Sequence, residues 1–504
     1  MAGKRSLLRP DTLLQSISVG LALAVVTRFV SFGRGILFAR TLDDAQLGTW
    51  ALAINAIHVL SFFLLLGIPS GLSRYVERHR QAGTLRPFLS RVTIWTIGSV
   101  LLLTASGMFF WKPLGSLLFA ETATKSLVLL TIVTVLATVA FNLLEGVLHG
   151  LRLFRLASWI ELVHSIGFVL LAAVLLFAWQ QDAMSSILAH LVASGVVAMV
   201  AGAYVCRAVR NSQQSSSGEE TFQVASGTWK ALIVYSLATW GAGSLQAVWH
   251  CLDRYMLLHM SPAATHETLR QLGGYFIASK LALPMTAAIG MLSVVLLPHA
   301  ARLWEEGRRD EVGQLIRRAV KLSALSMTLC GAAILALRPY VLMILVGRIP
   351  ETVNLILPAV LVTIIAVSLH TIVRIYLLCR ERASWIAAVW AAALVVNVVL
   401  NMILIPQYQI LGAVVATLSS AGIAIMATIW ASVRIGLPFD RGTYLACALP
   451  MLLLLPEPWM LLLLALAAVA VLLTNVIVSA DDKRWINDWF AAKFPRLVAS
   501  GDRQ

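Results

Sequence analysis

The sequence predicts an all-α integral membrane protein of about fourteen transmembrane helices. Three observations carry that prediction. Of the 504 residues, 59% are hydrophobic and only 12% charged, against roughly 25% charged in an ordinary soluble domain. Apolar stretches recur from end to end, each near the about 20 residues needed to cross a ~30 Å hydrocarbon core. They are continuous, whereas the strands of a membrane barrel would alternate apolar and polar over about ten residues.

In chain order the stretches run approximately 12 to 39, 47 to 68, 88 to 111, 124 to 149, 157 to 179, 184 to 206, 229 to 259, 272 to 297, 315 to 337, 352 to 379, 383 to 405, 411 to 434, 442 to 455 and 459 to 480. The first follows a basic start, Met1 to Pro10, with no short apolar core and small-residue cleavage site behind it, so no cleaved signal peptide is expected. The thirteenth is short, holds Pro450 and is closed by Pro456-Glu457-Pro458. It reads either as a span or as a re-entrant hairpin with the fourteenth, and either way the chain returns to the side it left.

Charge sets the expected orientation. Alternate connections, starting with the N-terminus, hold 29 of the 39 Lys and Arg, and the opposite connections hold seven: Arg40, Lys112, Lys125, Arg254, Arg270, Arg338 and Arg348. The positive-inside rule then puts both termini in the cytoplasm. The net charge of +15 follows from this asymmetry and calls for no nucleic-acid partner. Cys206, Cys251, Cys330, Cys379 and Cys447 are scattered in or beside apolar spans without metal or disulfide spacing. No metal and no cofactor is expected.

Between the sixth and seventh spans lies a polar low-complexity segment, Asn211 to Glu220, suited to a flexible joint. Short repeats support a division there. Ala157-Ser158-Trp159-Ile160 recurs as Ala383-Ser384-Trp385-Ile386, and Leu47-Gly48 recurs as Leu272-Gly273, followed by Trp50 and Tyr275 respectively. The expected organisation is a six-helix bundle over 1–210, a cytoplasmic linker over 211–228, a second six-helix bundle over 229–434, two additional helices over 435–480 and a cytoplasmic interfacial tail over 481–504. An even number of spans per repeat makes the bundles parallel repeats, which suggests a central cavity and alternating access. The tail carries Trp485, Trp489, Phe490 and Phe494 among basic residues, as an interfacial helix would. The longest connections, including Arg302 to Lys321, are cytoplasmic.

Ionisable groups within spans are the informative side chains, because a lone charge at the bilayer centre costs about 3 kcal/mol on insertion scales. Arg28 and Arg34 lie six residues apart in the first span. At about 100° per residue they sit roughly 120° apart, so both could border a wide cavity but not one narrow stripe. The repeat offset carries Arg28 onto Arg254, beside Asp253, and Lys280 lies about two turns into the eighth span. Together Arg28, Arg34, Arg254 and Lys280 could line a cationic chamber that binds an anion. The alternative is that Arg34 snorkels outward, Arg254 pairs with Asp253 and Lys280 reaches the outer interface. Glu145 and Glu161 flank the connection holding Arg152 and Arg155, which favours interfacial ion pairing over ion coupling. Asp253 is the better acidic candidate for coupling, and His164 and His190 read as satisfied interior histidines.

No Walker phosphate loop, metal-ligand cluster or nucleophile elbow is present, and no catalytic residue is assigned. A membrane glycan polymerase or ligase would be expected to carry a sizeable external catalytic loop, and no external connection exceeds roughly 20 residues.

Phe38-Ala39-Arg40-Thr41-Leu42-Asp43-Asp44-Ala45-Gln46-Leu47-Gly48-Thr49-Trp50-Ala51 resembles the segment joining the first two helices of Wzx-type polysaccharide flippases. Asp253-Arg254-Tyr255 with Leu272-Gly273-Gly274-Tyr275 resembles its counterpart in their second half. These proteins belong to the multidrug, oligosaccharidyl-lipid and polysaccharide exporter superfamily, and the likeness in helix number and two-half plan covers nearly the whole chain. Thr27-Arg28 with Gly33-Arg34 is also similar to the paired arginines in the first helix of peptidoglycan lipid-precursor flippases. The resemblance implies a flippase for polyprenyl-pyrophosphate-linked oligosaccharide in cell-surface polysaccharide biosynthesis. Its partners would be that substrate, membrane lipids and other glycan-assembly proteins. The alternatives within the superfamily are a peptidoglycan lipid-precursor flippase and a cation-coupled multidrug exporter, whose chamber should be acidic and aromatic.

Overall fold

The computed structural model describes residues 13–81, 85–213, 233, 236–237, 240–241 and 243–485. Helices make up nearly all of it, with no strand among the described residues. Among the described residues ten helices are long and apolar enough to cross a membrane, and two shorter apolar helices follow them. The protein is therefore a multi-pass membrane protein. The expected linker beyond Gln213 and the expected interfacial helix beyond Trp485 lie outside the described residues.

The chain gathers into two compact units, each described separately below. One takes in the chain to Lys280 with Leu345–Val353 and Asn397–Ala413; the other holds Leu281–Ile344, Asn354–Val396 and the chain from Val414.

In the first unit, α1 (Leu13–Thr41), α2 (Asp44–Leu64), α3 (Ile68–Gln81), α4 (Leu85–Phe109), α5 (Trp111–Phe119), α6 (Lys125–Gly150), α7 (Phe154–Ala178) and α8 (Ala183–Gln213) succeed one another, followed by α9 (Leu252–Met260) and α10 (Thr265–Leu281). The turn between α1 and α2 is short because Asp43 caps α2, its carboxylate accepting from the Gln46 N–H at 2.7 Å. Thr124 caps α6 in the same way, accepting from Leu127 N–H at 3.3 Å. Helix α6 is the hub of this unit and packs on α2, α3 and α8, while α7 joins α1 to α8.

Two glycines let α2 and α10 cross at backbone contact. A Cβ on Gly48 would run into the Leu269 carbonyl oxygen, and one on Gly273 would run into the Asp44 carbonyl oxygen. The contact is reciprocal under the repeat, since an offset of 225 carries Asp44 to Leu269 and Gly48 to Gly273. Nearby, Arg348 pairs with Asp44 at 2.7 Å and donates to the Leu42 carbonyl at 3.0 Å. The Tyr255 hydroxyl donates to the Leu52 carbonyl at 2.9 Å. This end of the first unit is thus held shut by small residues and by polar contacts, as lipid-embedded helix crossings commonly are.

The second unit is built from α11 (Leu283–Glu305), α12 (Arg309–Ala336), α13 (Arg338–Leu345), α14 (Glu351–Cys379), α15 (Ala383–Arg434), α16 (Arg441–Ala448) and α17 (Glu457–Leu473), with short parts of α14 and α15 belonging to the first. Several boundaries differ from the hydropathy reading. The stretch 272 to 297 is two helices, broken at Ala282 where Pro284 opens α11. The stretches 383 to 405 and 411 to 434 are two helices, as expected, meeting within α15 at a break at Gln409, whose φ of 50° is non-helical, just after Pro406; the turn is tight enough that a Cβ on Gly412 would run into the Leu404 carbonyl oxygen. Pro450 supplies no N–H, and α16 tightens there into a 3-10 turn over Leu449–Leu454. The helix of the fourteenth stretch stops at Leu473 rather than near 480.

The connection expected over Arg302 to Lys321 is only residues 306 to 308. Arg302–Glu306 and Arg308–Glu311 pairs, 2.7 and 2.6 Å, support the helix ends on either side, and Gly307 takes the left-handed φ of 77° that the turn needs. Extending α12 back to Arg309 carries Lys321 inside the unit, where its side chain is 2% exposed. Its ammonium donates to Asp440 at 2.7 Å and to Asp482 at 2.9 Å, and Arg318 donates to Asp482 at 3.0 Å. Burial pushes the Asp482 carboxyl up, but the hydrogen bonds from Lys321, Ser479 and Arg318 outweigh it and hold the group at about 2. Asp440, which also caps α16, lies below the usual carboxylate range: burial raises it, and its bonds from Lys321 and Thr443 prevail.

Candidate functional site

Within the first unit, α1, α2, α6, α7, α8 and α10 enclose a polar cavity of about 340 Å³ with Arg254 in its wall. Spans that close such a space must aim their few polar side chains into it, because lipid offers those groups no partner. Arg34 enters from α1 with its guanidinium 4.4 Å from the centre of the Phe168 ring. Lys280 enters from α10, its methylene stem lying along Gly35 and its ammonium 4.9 Å from the Phe276 ring centre. Arg254 lies 4.7 Å over Tyr275 and donates to the His250 carbonyl at 2.6 Å. Aromatic faces thus carry part of the solvation of all three cations. Among the described residues neither Arg34 nor Lys280 forms an ion pair, so both charges remain available to an anion.

The other wall is acidic and histidine-rich. Glu145 of α6 and Glu161 of α7 line the cavity and form no ion pair among the described residues, so the interfacial pairing expected for them is not present. The physical reason is their azimuth: both helices turn these faces inward. Each carboxylate acts electrostatically on the other. His58, His164 and His190 line the same space, with ring centres 5.6 Å apart for His164 and His190 and 6.3 Å for His58 and His190. His164 shares a 3.0 Å hydrogen bond with Ser194, and His190 a 3.4 Å one with Thr138. His58 was missed by the sequence reading; Asn55 and His58, three residues apart in an otherwise apolar run, were the available signal.

Of the seven candidate site residues, Arg34, Arg254, Lys280, Glu145 and Glu161 therefore share one cavity. Arg28 does not line it. It sits exposed on α1, on a different face that the roughly 120° between it and Arg34 permits, though its charge acts on Glu161 and Lys280. Asp253 is buried beside the cavity, accepting from the Tyr275 hydroxyl at 2.8 Å and from the Arg254 backbone N–H at 2.9 Å.

Residues 13–304 match the family model described as polysaccharide biosynthesis protein, and the chain belongs to that family. The fold is similar to that of a solved structure titled "Lipid II flippase MurJ, inward closed conformation", at 15% identity and a TM-score of 0.67 over 90% of this chain and 98% of that one. It is also similar to an inward-facing multidrug resistance MATE family transporter, at 12% identity and a TM-score of 0.63 over 83% and 98% of the two chains. An outward-facing structure of a MATE family transporter aligns at 14% identity with a TM-score of 0.56 over 85% and 97%. No curated protein matches the chain by sequence.

Proposed function

We propose that the protein is a flippase that moves a polyprenyl-pyrophosphate-linked oligosaccharide from the inner to the outer face of the cytoplasmic membrane, with both termini cytoplasmic. The observation that carries this reading is the pair of cations without an ion-pair partner among the described residues, Arg34 and Lys280, facing one intramembrane cavity with Arg254. Their N–H groups replace the hydration of the phosphates as the headgroup leaves water. A lone cation in that position would be costly, and a dianionic ligand offsets the cost. The polyprenyl tail stays in lipid. The glutamates make ion coupling through Glu145 and Glu161 a second use of the same wall, with Asp253 held back by its hydrogen bonds. A cation-coupled drug exporter is less well served by three cations around the ligand, and a peptidoglycan precursor differs from the proposed substrate beyond the shared pyrophosphate.

Carrying charge across the membrane is worth about 2.3 kcal/mol per elementary charge per 100 mV. Expelling two negative charges from a negative interior therefore gains roughly 4 to 5 kcal/mol, enough to bias transport without ATP. Flipping of a fluorescent lipid-linked oligosaccharide should be followed in proteoliposomes with the potential clamped by potassium and valinomycin. Arg34→Ala and Lys280→Ala are each expected to lower the rate on the order of tenfold to a hundredfold, as loss of a charge-assisted contact does. An inside-negative potential should raise the wild-type rate. Unchanged rates in both variants sink the assignment of the pyrophosphate to this cavity; rates that ignore voltage and follow a proton or sodium gradient move the driving force to the glutamates.

A further inference from the structure

A second cavity of about 530 Å³ lies against the first, between α2, α3 and α6 of the same unit. His58 and Glu145 belong to the walls of both, so the two spaces meet at those side chains. The second differs in chemistry. Among the described residues its lining has no Lys or Arg; its polar groups are Ser70, Asn142 and His149 besides the two shared ones, with Phe62 as the aromatic face. Asn142 and Glu145 make no hydrogen bond to described protein groups, although both lie within a span. A polar group left unpaired there is costly unless a ligand or water satisfies it. The size falls in the roughly 300 to 1,000 Å³ range of small-molecule sites.

We propose that this cavity is a sugar subsite: resting on the flippase reading, it receives the sugar next to the pyrophosphate while the phosphates occupy the Arg34–Lys280 cavity. It selects an uncharged, hydroxyl-rich sugar. The Glu145 carboxylate only accepts hydrogen bonds and so takes sugar hydroxyls; the Asn142 amide both donates and accepts, which suits a hydroxyl or an acetamido group. Phe62 offers an apolar surface to the C–H face of a pyranose. A sugar bearing a carboxylate or phosphate meets Glu145 with no lysine or arginine in the described lining of its own cavity and with the neighbouring cations taken by the phosphates, and like charges at short range in low dielectric repel strongly. Charge is thereby sorted between the two spaces, anionic linkage in one and neutral glycan in the other.

The test uses the full chain in nanodiscs and three short-chain probes: farnesyl pyrophosphate, farnesyl-pyrophosphoryl-N-acetylglucosamine and farnesyl-pyrophosphoryl-galacturonic acid, with affinities read by native mass spectrometry. Asn142→Ala should weaken the neutral glycoside about tenfold, the scale of one satisfied buried hydrogen bond, and leave farnesyl pyrophosphate within about twofold. That second measurement also shows that the variant is folded. Wild type should prefer the neutral to the acidic glycoside, and Glu145→Gln should narrow that preference about tenfold. Equal loss for the bare and glycosylated probes in Asn142→Ala, no loss for either, or no wild-type discrimination against galacturonic acid overturns the subsite. Failure of farnesyl pyrophosphate to bind, or its indifference to Arg34→Ala, would instead overturn the flippase reading beneath it.

Discussion

Replacing Gly48 or Gly273 with alanine is expected to force α2 away from α10. A methyl at either position collides with a backbone carbonyl, that of Leu269 or of Asp44, and a helix carbonyl has no rotamer through which to yield. Overpacking of this kind costs about 1 to 3 kcal/mol. Under the proposed alternating-access reading, the cost falls only on the conformation in which the helices touch. A 1 to 3 kcal/mol bias corresponds to roughly a 5- to 150-fold shift between states. Pulsed electron-spin distances between labels on α2 and α10 should therefore move to a longer population in each variant. The two substitutions report one crossing, so the double variant should shift less than the sum of the singles. Distance distributions identical to wild type would show that this contact does not hold the state described here.

Lys321→Met is expected to be the most destabilising single change in the second unit. It keeps most of the side-chain volume but leaves Asp440 and Asp482 facing one another without their shared cation. Removing one partner of a fully buried ionic group costs about 3 to 5 kcal/mol, and because Arg318 stays on Asp482 and Asp440 is partly exposed, the loss here falls towards or below the lower figure. Adding Asp440→Asn and Asp482→Asn should recover much of the loss, and the comparison is made by thermal unfolding in detergent. A single variant that melts with wild type would mean that the network contributes nothing. Acid acts in the same direction. Asp482 is held at about 2 against an ordinary value of 3.8, so its stabilisation is complete above the ordinary value and is lost as pH falls through about 2. The Lys321→Met, Asp440→Asn, Asp482→Asn variant should lack that acid transition.

Much of this molecule is visible in local sequence. Continuous apolar runs mark the spans, because hydrocarbon leaves the backbone no partner but its own helix. The repeat-related Leu47-Gly48 and Leu272-Gly273 pairs mark positions that meet at a backbone crossing. Charges inside spans singled out Arg34, Arg254 and Lys280 before any coordinate, since only an interior destination offsets their desolvation. Not every helix break was readable. The one after Pro406 was, but Pro284 was present without marking its break, because whether a proline starts a helix, kinks it or ends it depends on what packs beside it.

The azimuth of each helix is what only the tertiary structure decided. Arg28 and Arg34 look alike in sequence, yet one is exposed and the other lines the cavity. Glu145 and Glu161 sit near a basic connection and still turn inward, and Lys321, at the end of a basic stretch, is buried between two aspartates. Hydropathy is a property of neighbours along the chain, so it places a residue at a depth in the membrane. The direction in which that residue points follows from which helices pack against its own, and those contacts join residues far apart in sequence.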